Sequence, residues 1–267
     1  MIILNLYKRY LVSLKKDIYS LLSISLIFPI LLYILVVMSV MMIIGAIGDL
    51  DGEPMIKFVV DQIAILTNYE QFSALGIWIV SGCFVSIYIS SAIFYRLIVE
   101  DKQIEVLQAS PVSHYQIVFS LVLFSFTLGC FELLLSISFT YFIGIVNPLS
   151  IYQIFFIIFN IIQLIFLSSI LGIVIGLFNK SVLSILLSYV ALLFFLIFIS
   201  GTFIPKSLLL DKLQNVINFL PYVMHIESIQ SYYLLGQSNF LVIIGTIGFS
   251  ILLTIVSLVY SNYSLRR

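Results

Sequence analysis

The amino-acid sequence predicts an all-α polytopic membrane protein with six transmembrane helices. The first indication is composition: 62% of the 267 residues are hydrophobic and 9% are charged, whereas soluble domains are about 45–50% apolar and about 25% charged. The second is that the apolar residues form six runs, each near the roughly 20 residues that a spanning helix needs. These runs are roughly 20–47, 71–95, 116–143, 151–178, 181–200 and 240–262.

The positions of lysine and arginine predict the orientation, because basic loops are retained on the cytoplasmic side of a membrane. If both termini are cytoplasmic, the basic residues on that side are Lys8, Arg9, Lys15, Lys16, Arg96, Lys102, Lys180, Arg266 and Arg267. Only Lys57, Lys206 and Lys212 then lie outside. The sequence therefore predicts a multi-pass membrane protein with both termini in the cytoplasm; the plasma (inner) membrane is the location that the family resemblance described below implies.

Residues 1–17 precede the first span and have one apolar face. Helical spacing places Ile3, Tyr7, Tyr10 and Leu14 together, with basic residues on the remaining surface. This pattern favours an amphipathic interfacial helix that lies along the cytoplasmic headgroups and contacts membrane lipids. The alternative is that the segment simply extends the first span into water.

The connector between the second and third spans, residues 97–114, concentrates charge in a chain that has little. Leu97, Ile104 and Leu107 fall near one helical stripe, and Glu100 and Lys102 lie on the other side. The spacing predicts a short cytoplasmic helix with one apolar and one charged face. The alternative is a solvated loop whose charges only enforce topology.

The end of this connector is marked by Ser110-Pro111. Proline disfavours the helical conformation of the residue before it, so the short helix is expected to stop there. Ser113 is then placed to cap the third span, which is predicted to begin near His114 or Tyr115.

Glu132 is the only carboxylate deep within a predicted span. An ionisable group at that depth is costly and usually faces the interior of the bundle or a wet cavity. Two interpretations remain open: Glu132 belongs to a translocation path or gate, or it is a protonated structural group that hydrogen-bonds to a neighbouring helix.

The fourth span combines amides with small residues. Asn160 and Gln163 are three residues apart, and Gly172 and Gly176 follow on the same helix. Small residues allow helices to approach closely, so this pattern favours packing within one protomer over a dimer seam. Asn179 and Lys180 alone separate the fourth and fifth spans, which predicts a tight helical hairpin.

Residues 202–236 are too polar to cross the bilayer but have an apolar stripe at helical spacing. The stripe comprises Leu208, Leu209, Leu213, Val216, Ile217 and Leu220. Pro221 interrupts it, and a second helix is predicted through Ser231. The pattern favours two short external helices that dip into the outer leaflet as a re-entrant segment. An ordinary surface loop is the alternative, and His114 and His225 are expected to be interfacial.

The connector sequence EDKQIEVLQASPVSHYQIVFS resembles the cytoplasmic coupling segment of the type-2 permease family of ATP-binding-cassette (ABC) transporters. The resemblance depends on Glu105, Leu107, Ser110 and Pro111, in that order before the third span. The six spans, the basic lead-in and the cytoplasmic termini also fit, so the likeness covers nearly the whole chain.

A second stretch, SGTFIPKSLLLDKLQNVINFLPYVMHIESIQSYYLLG, is similar to the external segment of the same family, which lies between the fifth and sixth spans. In that family a Gly-x-Phe-x-Pro entry precedes a short amphipathic helix and a Leu-Pro break. The matching residues here are Gly201, Phe203, Pro205, Leu220 and Pro221.

The resemblance implies a single permease domain over residues 1–267 that exports a substrate. It implies coupling to a cytoplasmic ATPase through Glu100, Lys102, Glu105, Leu107, Ser110 and Pro111. It also implies that the external segment, with Phe203, Pro205 and Pro221, helps to close the outer end of a pathway to which Glu132 is a candidate contributor. A second permease subunit, identical or related, is the other expected partner.

The chain has no Gly-x-x-x-x-Gly-Lys-[Ser/Thr] phosphate cradle and no Gly-Lys pair. We therefore expect no enzymatic activity and no bound cofactor or metal in this chain, with ATP and Mg²⁺ bound by the partner ATPase. No nucleic-acid partner is expected. The apolar spans favour an amphipathic, drug-like or lipid- or glycan-linked cargo over a small ion.

Two other classes of protein compete with this interpretation. A non-transporting membrane anchor or assembly factor would have the same six spans. A secondary carrier would normally show internal repeats and charges within the membrane, and Glu132 is the only such charge here.

Overall fold

The structure, a computed structural model, describes residues 3, 5–8, 10, 27–38, 69–100, 113–146, 149–203, 211–235, 244–245, 247–249, 251–252 and 254–256. This part of the chain is about 90% helical and contains no strand. The all-α prediction is confirmed.

Seven helices are used to describe the molecule. Helix α1 comprises residues 27–38, and its second half, Tyr33–Met38, is π-helical. Helix α2 is Tyr69–Tyr95, and a π-helical turn at Arg96–Glu100 follows it. The next helices are α3, His114–Ile143, and α4, Ile151–Phe178. Helix α5, Val182–Phe194, continues as a π-helix at Phe195–Ile199, and the last two are α6, Asp211–Ile217, and α7, Pro221–Leu235.

Four helical stretches are long and apolar enough to cross a membrane. They are Phe72–Ile98, Tyr115–Ile143, Ile151–Phe178 and Val182–Ile199, and they match the predicted second to fifth spans. Apolar helical residues at 27–36 and between 247 and 256 lie within the predicted first and sixth spans. The remainder of those two spans lies outside the described residues, so six spans stay a prediction.

Helix α2 lies at the centre of the described bundle, packed between α3 and α4. In the most apolar stretch of α2, 83% of the residues are buried, whereas in that of α5 only 17% are buried. Leu183, Leu187 and Val190 of α5 are more than half exposed. In a bilayer such a surface would be solvated by lipid or covered by another chain.

Close packing of α2 against α4 depends on glycine and serine. A Cβ atom added to Gly176 would lie 2.9 Å from the carbonyl oxygen of Ser91. Further along the same α2–α4 interface, the hydroxyl oxygens of Ser86 and Ser169 are 2.6 Å apart. The predicted packing of the Gly172–Gly176 face within the protomer is confirmed.

Serine residues begin three of the long helices in the same way. Ser113, Ser150 and Ser181 each form a capping box at the start of α3, α4 and α5. In the first, the Gln116 backbone N–H donates to Ser113 Oγ at 3.4 Å, and the Ser113 backbone N–H donates to Gln116 Oε1 at 3.0 Å. The predicted cap at Ser113 is confirmed, because these contacts satisfy backbone N–H groups that the helix leaves free.

The hairpin between α4 and α5 turns over Asn179, Lys180 and Ser181, as predicted. The Asn179 Nδ2 amide donates to the Ile175 carbonyl at 2.7 Å and to Ser188 Oγ at 3.2 Å. One side chain therefore closes the end of α4 and ties it to α5.

The N-terminal segment packs along the side of α3. Leu6 and Tyr10 are buried, the Tyr7 hydroxyl lies 2.9 Å from Thr127 Oγ1, and the Tyr7 and Phe124 rings meet edge to face at 5.3 Å. Tyr7 and Tyr10 lie on the apolar face that the sequence predicts, but at these residues the face contacts protein. Its position at the headgroups stays a prediction.

Candidate functional site

The two ends of the charged connector lie in one buried cluster, here called the connector cluster. Phe94 and Leu97 enter it from the end of α2, and Ile117 and Leu121 enter it from the beginning of α3. Its other buried members are Leu6, Tyr10, Val85, Ile89, Val118, Val122, Phe124, Ile170 and Ile173. The described residues on either side of the connector therefore belong to one cluster with residues of α4 and the N-terminal segment.

The predicted coupling residues are only partly within the described chain. Glu100 is the last residue of the π-helical turn that follows α2. Lys102, Glu105, Leu107, Ser110 and Pro111 lie outside the described residues. Helical turns of the π type are rare and are frequently found at functional sites, and this one occurs where the connector begins.

Glu132 lies inside the bundle, and its side chain is fully buried. Ser136, one turn further along α3, donates from Oγ to the Glu132 carbonyl oxygen at 2.9 Å. The structure therefore places Glu132 within protein and away from lipid, which both sequence interpretations require.

A polar stripe that the sequence analysis missed extends from Glu132 along α3. Glu132, Ser136 and Thr140 are each four residues apart and fully buried, so they share one helical face. This face meets α2, where Ser81 Oγ lies 2.5 Å from Ser136 Oγ and Trp78 Nε1 donates to Thr140 Oγ1 at 2.7 Å. The spacing of four was the signal available in the sequence.

The segment at 202–236, which the sequence predicts to be external, is preceded by a turn that is fixed on two helices. Gly201 has φ of 83°, a left-handed conformation that glycine adopts without strain. The Gln230 Nε2 amide of α7 donates to the Gly201 carbonyl at 2.9 Å. Phe203 is fully buried, and its ring fills the space beside Gly76 of α2, where a Cβ atom would lie 2.8 Å from Phe203 Cε1.

Phe203 and Gly201 thus anchor the beginning of the segment, and any role of Phe203 in a pathway stays a prediction. Pro205 lies outside the described residues. Pro221 is the first residue of α7, a position where its missing N–H and fixed φ are compatible with a helix.

The segment at 202–236 contains two helices, as predicted. Helix α6 ends at Ile217 and α7 begins at Pro221, so the predicted break is confirmed. Helix α7 extends to Leu235, beyond the predicted end at Ser231. Insertion of these helices into the outer leaflet stays a prediction.

Helix α7 packs on α4 along a line of contacts here called the α4–α7 seam. Three of its contacts join the Tyr222 and Ser168 hydroxyls at 3.4 Å, His225 Nε2 and the Asn160 carbonyl oxygen at 3.1 Å, and the Tyr232 and Phe156 rings, whose centroids are 3.9 Å apart. The contacts place α7 on the helix that carries Asn160.

The His225 side chain is fully buried in the seam, and the expectation that His225 lies at the depth of the membrane interface stays a prediction. Burial lowers the His225 pKa to about 4, and its hydrogen bond with the Asn160 carbonyl opposes this only in part. The imidazole is therefore neutral at pH 7 and donates its Nε2 proton. Burial also raises the pKa of Tyr222 well above its ordinary value, so this contact is uncharged as well.

Within the described ranges, no three His, Cys, Asp or Glu side chains lie close enough together to hold a metal ion. Cys83 is buried and Cys130 is half-buried, and both are free thiols.

No protein-family model, curated protein or solved structure matches this chain. The resemblance to ABC type-2 permeases therefore depends on the two sequence motifs and on the order of the spans.

Proposed function

We propose that this chain is the permease subunit of an ABC exporter and that it works with a second permease and cytoplasmic ATPases in the plasma membrane. The observation that supports this best is the connector cluster. Phe94 and Leu97 on one side of the charged connector pack with Ile117 and Leu121 on the other. A force applied to the connector would therefore act on α2 and α3 together.

Close packing makes such a force effective, because protein interiors are dense and transmit displacement. Ile170 and Ile173 of α4 belong to the same cluster, and α4 is tied to α2 by the Ser86–Ser169 contact. Further along α4, the α4–α7 seam connects this helix to the external segment. A continuous series of contacts thus joins the connector to the predicted outer end of the pathway.

The charges of the connector give it a second property that docking requires. Charged groups orient a partner and exclude wrong partners more than they add affinity. Glu100, Asp101, Lys102 and Glu105 occur within six residues. We propose that Leu107 supplies the apolar contact with the ATPase and that Glu105 and Lys102 fix its orientation.

Reversing the charge at Glu105 is expected to lower both ATP hydrolysis and ATP-dependent export. In the Glu105→Arg protein, ATPase turnover in the purified complex should fall by about tenfold, equivalent to about 1.4 kcal/mol, because a cation would face the site that fits a carboxylate. Lys180→Glu is the matched control, since Lys180 is exposed on the same predicted side. Unchanged ATP-dependent export by Glu105→Arg would remove the docking proposal and favour the anchor interpretation.

Glu132→Gln tests whether the buried carboxyl contributes to the pathway. The substitution keeps the size of the side chain, so we expect an unchanged yield of folded protein and a reduction in transport of about tenfold. Ser138→Ala provides a control on the exposed side of the same helix. Transport at the original rate would assign Glu132 to a structural role.

A further inference from the structure

The α4–α7 seam encloses two polar atoms that make no hydrogen bond within the described part of the chain. They are Asn160 Oδ1 on α4 and Ser228 Oγ on α7. Asn160 is 1% exposed and Ser228 is 7% exposed. A buried polar group without a partner loses its hydrogen bonds with water and gains none in return, and such groups are rare in folded proteins. Both helices of the seam therefore carry a polar group that the described residues leave unsatisfied.

The contacts of the seam place these two residues at the same level. His225 Nε2 contacts the Asn160 carbonyl oxygen at 3.1 Å, and the Tyr232 and Phe156 rings have centroids 3.9 Å apart. The numbers rise along α7 as they fall along α4, so the two helices are antiparallel here. Ser228 is about one turn from His225 in the direction of Tyr232, which puts it between the two contacts.

The Asn160 amide lies in the same interval. Its Nδ2 donates to the Phe156 carbonyl at 2.7 Å, so the amide extends along α4 from Asn160 toward Phe156. A carbonyl oxygen can only accept, and this bond therefore also fixes which amide atom is nitrogen and which is oxygen. Asn160 Oδ1 is thus an acceptor in the turn of α4 that lies level with Ser228.

The two atoms define the chemistry of a group that would satisfy both. An amide oxygen accepts and cannot donate, whereas a serine hydroxyl does both. Asn160 Oδ1 and Ser228 Oγ are not bonded to each other, so a bridging group must donate to the first and bond in either sense with the second. Water is small and does this, and buried waters typically join polar groups that are otherwise unsatisfied. An ammonium group would also bury a charge, which costs more.

We propose that Asn160 and Ser228 form a binding site for one water molecule that bridges α4 and α7. Helix α7 is then held on the bundle by this water as well as by the direct contacts of the seam. The site is a property of the chain itself and does not depend on the proposed transport function.

Radiolytic labelling of the full chain in lipid nanodiscs tests the site, because X-rays split an enclosed water into radicals that oxidise the side chains around it. His225 is fully buried and lies one turn from Ser228, so its ring reports on this water. With a scavenger of radicals in the bulk solvent, Tyr152, which is 86% exposed, should lose its oxidation and His225 should keep it. Phe203, which is also fully buried, should remain unlabelled.

Two results of this labelling would overturn the proposal. The first is an unlabelled His225 in the folded protein. The second is His225 oxidation that the scavenger removes together with that of Tyr152, because the radicals would then come from bulk solvent.

Two variants assign the water to these residues. Ser228→Ala removes one end of the bridge and leaves Asn160 Oδ1 poorly satisfied, so protection of the α7 amides against hydrogen exchange should fall by about tenfold. The double variant Asn160→Leu/Ser228→Ala removes both polar atoms. Its α7 protection should return toward the wild-type value, because replacing both partners by apolar groups can be nearly neutral, and its His225 oxidation should be lost.

The opposite response of the single variant is equally informative. A rise in α7 protection in Ser228→Ala would mean that the hydroxyl has no bridging partner in the folded chain, and it would contradict the proposal. If the double variant does not fold, the wild-type labelling and the direction of the change in Ser228→Ala decide the question.

Discussion

Replacing Gly172 with leucine is expected to abolish the accumulation of folded protein. Gly172 of α4 faces the backbone of α2, and a Cβ atom there would lie 2.5 Å from the Ile87 carbonyl oxygen and 2.9 Å from Ile87 Cα. It would also collide with the Ser90 side chain. A backbone atom cannot turn aside as a flexible side chain can, so α4 must move away from the central helix.

The expected loss is large because the contact lies at the centre of the bundle. Overpacking a core typically costs about 1–3 kcal/mol and occasionally more, and a leucine adds several atoms to a site that cannot accept the first of them. Displacement of α4 would also remove the Ser86–Ser169 hydrogen bond at 2.6 Å. Because the clash is with backbone atoms, we expect a cost above this usual range, and the lost contacts between α2 and α4 add to it. Together these losses approach the net stability of a typical protein, which is only about 5–15 kcal/mol.

The measurement is the yield and monodispersity of detergent-extracted protein, compared by size-exclusion chromatography. Gly248→Leu is the matched control, because among the described residues no neighbouring heavy atom lies within 4 Å of a Cβ atom at that position. It should give the wild-type profile. Equal yields from Gly172→Leu and Gly248→Leu would contradict the packing of α2 against α4.

Features that depend on local chemistry could be predicted from the sequence. The cap at Ser113, the turn at Asn179-Lys180 and the break before Pro221 each follow from the conformational preferences of one or two residues. The second to fifth spans follow from the length of an apolar run. These elements need no knowledge of their neighbours, which is why the sequence analysis and the structure agree on them.

Burial within the bundle could not be predicted from hydropathy. Helix α5 is more hydrophobic than helix α2. Only 17% of the residues in the apolar stretch of α5 are buried, whereas 83% of those in the apolar stretch of α2 are buried. Lipid tails are as apolar as leucine. Hydropathy therefore distinguishes a segment in the membrane from one in water, but it does not distinguish a helix face that packs against protein from one that faces lipid. The informative signal in α2 is its small polar residues, including Ser81, Ser86, Ser90 and Ser91, which are all buried.

The α4–α7 seam illustrates the same difficulty for a polar residue. His225 stands in a segment too polar to span the bilayer, so its position in the sequence suggested the membrane surface. Its burial depends on α7 packing against Asn160 and Phe156, which are 65 or more residues away. No local pattern in α7 encodes that contact.

The proposed docking role of the connector would be a property of two chains, and the sequence of one chain supplies only the charges and the motif of the connector. The structure adds that Phe94, Leu97, Ile117 and Leu121 hold both ends of the connector in one cluster. These two facts together make the connector the element through which we propose that the partner acts.

Photo-cross-linking at position 105 in living cells tests the central claim most directly. With a photo-activatable amino acid in place of Glu105, we expect irradiation to join the chain to a cytoplasmic ATPase at high yield, because the proposed docking site encloses this side chain. The same group at Leu187, which is 61% exposed on α5, should react with lipid or with another membrane chain and give no ATPase adduct.

The two outcomes are well separated. An ATPase adduct at position 105 that is absent at position 187 agrees with docking through the connector. If position 105 yields no protein adduct at any stage of ATP turnover, or if it reacts with a membrane-impermeant reagent added from outside the cell, the connector is not the cytoplasmic coupling element.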